Sequence, residues 1–311
     1  MAILLNGEAV MAMTPKGMVL VPGGPFVMGS ADFYPGERPP RRSVVGDLWV
    51  DEHPVTNAQF QGFVDDTGHV TFAERAPDPE DFPGADPADL VPGSQVFVGA
   101  PGPFPLDDWT RWWSWAPGAD WRHPRGPTSS LRGRELHPVV HVGYEDALAY
   151  AEWAGTSLLT EAEWEHAARG GLSGATYPWG DDLMPGGRIV ANTWHGQFPY
   201  QNLSAPGMDR TTPGAPIPTQ RVRPVRRGGQ RLGMDPITVD GRPLPGEPAA
   251  ATHSCCAPTA TTLTETDRRV MKGGSHLCAP SYCRRYRPAA RQGQAIRSTT
   301  GHLGVRCGRP A

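Results

Sequence analysis

The sequence predicts an α+β domain with little regular secondary structure, on three observations. Thirty-eight glycines and 35 prolines among 311 residues are about twice the usual share, so short elements are separated by long irregular stretches. Capping signals mark three helices, and the strand patterns are only a few residues long. Ten tryptophans supply large buried anchors for a loop-rich body. The length suffices for one sizeable core.

Residues 1–17 read as a loose leader and 18–308 as the domain. Met18 to Gly29 reads as two short strands around a Pro-Gly turn, and Asp47 to Asp51 as another strand. Thr56 caps the first helix, with Gln59 able to reach back three residues. Phe60, Phe63 and Val64 fall on one face, and Gly68 is a natural stop. Residues 76–108 carry many Pro, Gly and Asp and predict a long surface loop. The cluster Trp109, Trp112, Trp113, Trp115 and Trp121 reads as core before binding groove. His137 to Val142 predicts a buried strand whose two histidines make structural hydrogen bonds, because no HExxH-type helix accompanies them. Glu145 to Ala154 predicts a second helix. The capping box Thr160-Glu161-Ala162-Glu163 opens a third, ending near Gly170-Gly171.

Net charge is −3, which argues against an electrostatic nucleic-acid binder. Five cysteines, two of them adjacent (Cys255-Cys256), do not form a secreted disulfide framework. No stretch approaches a membrane span, and the start has no basic leader with a long apolar region. A soluble cytoplasmic protein is the expectation. Nothing suggests a coiled coil or a repeat interface, so a monomer is expected.

The most informative pair is Cys278 and Cys283, five positions apart in a segment rich in Gly, Ser and Pro. Such a segment can fold back and bring two sulfurs to one point. Soft thiolates suit Cu(I), which accepts few ligands. The pair is too ligand-poor for a closed four-ligand zinc site. A disulfide or two unrelated buried thiols are the alternatives.

Several segments, in order, carry a resemblance: His53-Pro54-Val55-Thr56-Asn57-Ala58-Gln59-Phe60, His137-Pro138-Val139-Val140-His141-Val142, Thr160-Glu161-Ala162-Glu163-Trp164-Glu165, Tyr177-Pro178-Trp179-Gly180, Ala191-Asn192-Thr193-Trp194, Gly273-Gly274-Ser275 with both cysteines, and Leu303-Gly304-Val305-Arg306-Cys307. Their order and spacing resemble the formylglycine-generating enzymes, or sulfatase-modifying factors. The resemblance implies a single irregular, C-type-lectin-like fold. It implies an enzyme that uses O2 to convert a sulfatase cysteine to Cα-formylglycine within an extended Cys-X-Pro-X-Arg stretch, with Cu(I) held by Cys278 and Cys283. Ser275 matches the family's active-site serine, and Tyr282 and Arg291 match residues lining the pocket. Asn192 and the carbonyl of Thr193 match part of a structural Ca2+ site. His302 stands where the family has an asparagine, so that role is not carried over. The superfamily also contains non-catalytic binding modules and sulfoxide synthases. The paired cysteines discriminate against the first, and the absence of room for an additional helical iron-site domain against the second.

Residues 204–240 do not fit. Arg221-Val222-Arg223-Pro224-Val225-Arg226-Arg227 is a basic run without periodicity, where the family shows a hallmark of the form Asn-Gly-Tyr-Gly-Leu-Tyr-Asp-X-Ala-Gly-Asn-Val-Trp-Glu-Trp-Thr. Back-translation of Gln220 to Pro236, shifted by one base, permits that hallmark in order. The Met234-Asp235 junction then reads as Trp, as does Met208-Asp209. A double frameshift in the gene or its sequencing follows as a hypothesis, with the frame lost near Ser204 and restored before Cys255. The polypeptide as written would lack an active-site Trp and most of a second calcium site. It is expected to be less stable and weakly active or inactive.

Overall fold

The computed structural model describes residues 15–81, 84–204, 210–213, 237–238 (backbone only) and 268–311. Most of the expected leader, Cys255-Cys256 and most of the 204–240 block, with its frame hypothesis, lie outside the described residues.

The strands are short, as the Gly and Pro content dictates. A four-stranded antiparallel sheet has the order β1 (Met18–Val21), β4 (Leu48–Asp51), β11 (Cys307–Pro310), β7 (Ser157–Leu158). β2 (Gly24–Met28) and β3 (Arg41–Val45) form a hairpin, and β5 (Gly93–Phe97) pairs with β6 (Trp113–Pro117). β9 (Arg268–Lys272) lies between β8 (Ile237–Thr238) and β10 (Gln292–Ala295). This last sheet carries the chain into the cysteine segment.

Among the described residues three α-helices pack on this frame. In α1 (Asn57–Thr67) the Gln59 amide N–H donates to Thr56 Oγ1 (3.3 Å), and the Thr56 N–H donates back to the Gln59 side chain (2.9 Å). Two otherwise orphaned donors are satisfied at once. Gly68 ends the helix at φ +68°, a conformation that favours glycine. Its buried face presents Phe60, Phe63 and Val64 to Trp121, Tyr150 of α2 (Tyr144–Trp153) and Val305. α3 (Glu161–Arg169) starts on the matching Thr160/Glu163 box. It packs toward β2, β3 and β9.

α3 also carries a buried ionic network. Glu165 accepts from Lys272 Nζ (2.9 Å), from Arg169 (2.7 Å) and from the Gly29 N–H (2.8 Å). Burial pushes its carboxyl upward, but the charges of Lys272 and Arg169 outweigh that and hold it below its ordinary range.

Two expectations are corrected. His137 to Val142 is buried but is not a strand; its only ladder contact is an isolated bridge, Thr56 to Pro138. Pro138 has no N–H to donate, and His141 adopts φ +61°. The segment's amides go singly to other loops, Val139 to Val55 and His141 to Thr300. The 76–108 loop is interrupted by β5, which holds β6 and its tryptophans in place. Gly93 supplies part of the reason β5 escapes a pattern search: a Cβ there would meet the Ala116 carbonyl oxygen at 2.6 Å, so packing rather than propensity selects the residue.

Candidate active site

β9 ends at Lys272, and the next residues turn sharply. Gly273 and Gly274 have φ of +108° and +66°. A Cβ on Gly274 would stand 2.5 Å from the Tyr286 nitrogen, so this close approach requires glycine on two counts. Ser275 follows, fully buried. Its Oγ accepts from the Leu277 N–H (3.0 Å) and its carbonyl from the Cys278 N–H (2.9 Å). The Ala279 carbonyl then accepts from the Tyr282 N–H (2.9 Å) and the Cys283 N–H (2.7 Å). This compact turn folds Cys283 back over Cys278. The two Sγ atoms lie 2.9 Å apart, and both residues are 0% exposed.

Aromatic rings enclose the pair. Tyr282 stacks on Phe198 at 4.7 Å and meets Trp112 edge-on at 5.7 Å. The backbone N–H of Trp194 donates to the Cys278 carbonyl (3.1 Å). Tyr286, 1% exposed, stacks on Tyr177 at 6.0 Å. Burial raises its hydroxyl pKa, with Tyr177 and the two cysteines adding to the effect. Beyond Cys283 the chain is anchored from outside the turn. The Arg284 N–H donates to the Tyr34 hydroxyl (2.9 Å), and Arg287 forms a buried two-pronged ion pair with Glu37.

The structure therefore brings Ser275, Cys278, Tyr282 and Cys283 into one turn. Arg291 stands apart from that turn's hydrogen bonds: its guanidinium donates to both oxygens of Glu161, at 2.8 and 3.1 Å, at the start of α3. Tyr286, Phe198 and Trp112 are neighbours of the pair that sequence reasoning did not assign. For Tyr286 a signal existed in its spacing three residues after Cys283. Trp112 and Phe198 arrive from distant loops and left none. Both histidines expected to be structural make hydrogen bonds: the His141 ring bonds Ser94 Oγ (2.7 Å) and the Pro124 carbonyl (3.0 Å), and the His137 ring bonds Thr211 Oγ1 (3.2 Å). His276 is buried with Nδ1 unpartnered among the described residues, and burial, reinforced by His302 and Arg210, lowers its pKa to about 3.

The donors decide what each position could hold. Two convergent buried sulfurs suit a soft monovalent ion. Among the described residues no group of three or more His, Cys, Asp or Glu gathers, so a closed zinc-type set is not assembled there. Asn192 donates through Nδ2 to the Arg210 carbonyl (2.7 Å), leaving its buried Oδ1 without a partner among the described residues. Among the described residues the adjacent Thr193 carbonyl accepts only a long contact from Ser204 Oγ (3.5 Å). Two under-used oxygens side by side fit a hard cation such as Ca2+, though they are fewer than the six to eight it takes.

A cleft of about 240 Å³ opens beside the turn. His276, Leu277 and Trp194 form part of its wall, but neither cysteine lines it. The sulfurs and the cleft are thus neighbouring features rather than one pocket.

A family model described as the sulfatase-modifying factor enzyme 1-like domain matches residues 6–311. The chain belongs to this sulfatase-modifying factor family. It is 49% identical over 292 residues to the formylglycine-generating enzyme of Mycobacterium tuberculosis, covering 93% of this chain and 96% of that one. It is 41% identical over 314 residues to the enzyme of the same name in Streptomyces coelicolor, covering 98% and 93%. Among solved structures, PvdO from Pseudomonas aeruginosa superposes with a TM-score of 0.52 at 21% identity, covering 94% of each chain. That likeness establishes the fold alone, and it agrees with the α+β, low-regularity architecture. Loops rather than sheets place the side chains of the candidate site. Among the described residues no helix is long and apolar enough to cross a membrane.

Proposed function

We propose that this chain is a copper(I)-dependent oxidase that converts the cysteine of a client sulfatase, within Cys-X-Pro-X-Arg, to Cα-formylglycine with O2. The observation that carries this reading is the 2.9 Å approach of the Cys278 and Cys283 sulfurs inside an aromatic shell. The names and extents of the relatives support it. Bound copper(I) would supply a one-electron centre at which a client thiol and dioxygen can react.

The chain's own residues do the rest. Cys278 and Cys283 supply the thiolate donors, and the Ala279 carbonyl fixes their separation by holding the turn. Tyr282, Phe198 and Trp112 exclude bulk water from the sulfurs. Ser275 holds the approach to Cys278 through Leu277 and presents the hydroxyl for hydrogen bonding within the turn. Arg291, paired with Glu161, ties the end of the segment to α3. Asn192 and Thr193 supply oxygens for a structural Ca2+. A cytoplasmic monomer acting on nascent or unfolded sulfatase completes the proposal.

The test is mass spectrometry of a Cys-X-Pro-X-Arg peptide after incubation with protein, copper and O2. A parallel competition titration measures Cu(I) binding to the reduced protein. Cys278→Ser and Cys283→Ser should each abolish tight Cu(I) binding and turnover. Turnover that survives either change would overturn the assignment. Comparing the chain as written with a version carrying the hallmark in the 204–240 block tests the frame hypothesis. Equal activity would refute the need for that block.

A further inference from the structure

The cleft beside the cysteine turn has a one-sided chemistry. Among the described residues, three arginines and two histidines line it, and no Asp or Glu does. Among the described residues, the side chains of Arg125 and Arg134 make no ion pair or hydrogen bond. The nearest acid in sequence, Glu135, turns its carboxylate onto the Gly133 N–H at 2.9 Å. Among the described residues, His276, 6% exposed, has no partner for its Nδ1, and Asn57, 4% exposed, has none for its Oδ1.

The rim has a different character. Val98 lines the cleft and is 61% exposed. Leu136 and Leu203, each 67% exposed, directly follow or precede lining residues: Leu136 comes just before His137, and Leu203 just after Asn202. Three of the protein's exposed large apolar side chains thus flank a cationic floor. A free inorganic anion has no use for such a rim. An extended polypeptide carrying both a carboxylate and an apolar side chain uses both parts. The cleft also lies where a bound chain would pass on to the sulfurs, since its wall includes Leu277, the residue before Cys278.

We infer that the cleft walled by Arg125, Arg134, His137 and His276 is a docking site for an acidic residue of the client polypeptide, outside the segment that carries the client's cysteine. This rests on the reading of the protein as one that acts on a polypeptide. The site would select clients by an acid at a distance from the reacting thiol, and would disfavour a basic residue there by like-charge repulsion.

The experiment measures binding without turnover. The reduced full chain, without copper, is titrated by fluorescence anisotropy against labelled peptides of the form Cys-X-Pro-X-Arg. A single Glu is moved along each flank, and every peptide has a Gln counterpart. At one or more positions Glu should bind about threefold to tenfold more tightly than Gln. The preference should shrink as salt is raised, and it should vanish in an Arg125→Gln/Arg134→Gln variant. Arg125 is exposed and Arg134 half-buried, and circular dichroism and thermal melting would verify that the variant stays folded. Arg134→Lys should retain part of the preference. Equal binding of Glu and Gln peptides at every position would overturn the inference, as would a preference that survives the double substitution. Displacement by inorganic phosphate with no Glu preference would also overturn it, because the site would then be one for free anions. Incubating the same Cys peptides with the protein, copper and O2 and reading formylglycine by mass spectrometry separates the two proposals. A Glu preference in the titration with no formylglycine formed from any Cys peptide leaves the docking site standing and the oxidase reading fallen.

Discussion

Lowering the pH from 7 to 5 should destabilise this protein, and His141 carries a separable share of that loss. Its ring is 0% exposed and hydrogen-bonded to two neighbours, Ser94 Oγ at 2.7 Å and the Pro124 carbonyl at 3.0 Å. A neutral imidazole has one donor and one acceptor nitrogen, which is what these partners require. Burial is the main cause that moves its pKa down, from 6.5 to about 4. The unfolded chain therefore takes up a proton near pH 6.5, and the folded chain only near 4. Stability from this residue is complete above pH 6.5 and is lost as the pH falls through that window. Linkage gives a loss of roughly 2 kcal/mol between pH 7 and 5. Urea unfolding at the two pH values, for the wild type and for His141→Asn, isolates the effect. Asparagine tolerates the left-handed backbone found at this position. The variant should be less stable than the wild type at pH 7 but should lack this pH-dependent increment. If both proteins lose the same stability between pH 7 and 5, the reasoning about His141 is wrong.

Three other outcomes are expected. Glu165→Gln should cost about 3–5 kcal/mol at pH 7, because it leaves Lys272 and Arg169 buried beside a neutral group; the Glu165 contribution is present above the ordinary carboxylate pKa and lost as pH falls below about 4, so acid-induced unfolding followed by circular dichroism should show a shallower profile in the variant. Trp112→Ala should cost about 3–5 kcal/mol by the cavity it leaves, and should also expose the cysteine pair to thiol reagents, read as a faster alkylation rate. Chelation of Ca2+ should lower the melting temperature of the wild type, and Asn192→Ala should abolish that response; an identical shift in both would remove Asn192 from the calcium set.

The parts of the fold legible in the sequence are those whose signals are local. The boxes at Thr56/Gln59 and Thr160/Glu163 place α1 and α3 because a cap is written within four residues. The cysteine turn is legible for the same reason: its glycines, serine and both sulfurs lie within eleven residues. What escaped is held by distant partners. β5 forms because β6 covers it, and Gly93 is chosen by a backbone approach invisible in the sequence. His137 to Val142 looked like a strand because burial and β-branching do not distinguish a sheet ladder from a buried loop whose amides scatter among neighbours. Phe198 and Trp112 reach the cysteines only through tertiary packing, so no spacing announces them. Arg291 shows the converse: the sequence position is right for the segment, but the geometry commits its guanidinium to Glu161.

The interior place of β11 bears on how the polypeptide acquires its shape. Gly308 pairs with Val50 on one side and Ser157 on the other. During synthesis, the early and middle portions of the sheet must wait, with their edges open, for residues 307–310 to leave the ribosome. Ribosome-bound intermediates should therefore be the stage at which this protein most needs a chaperone.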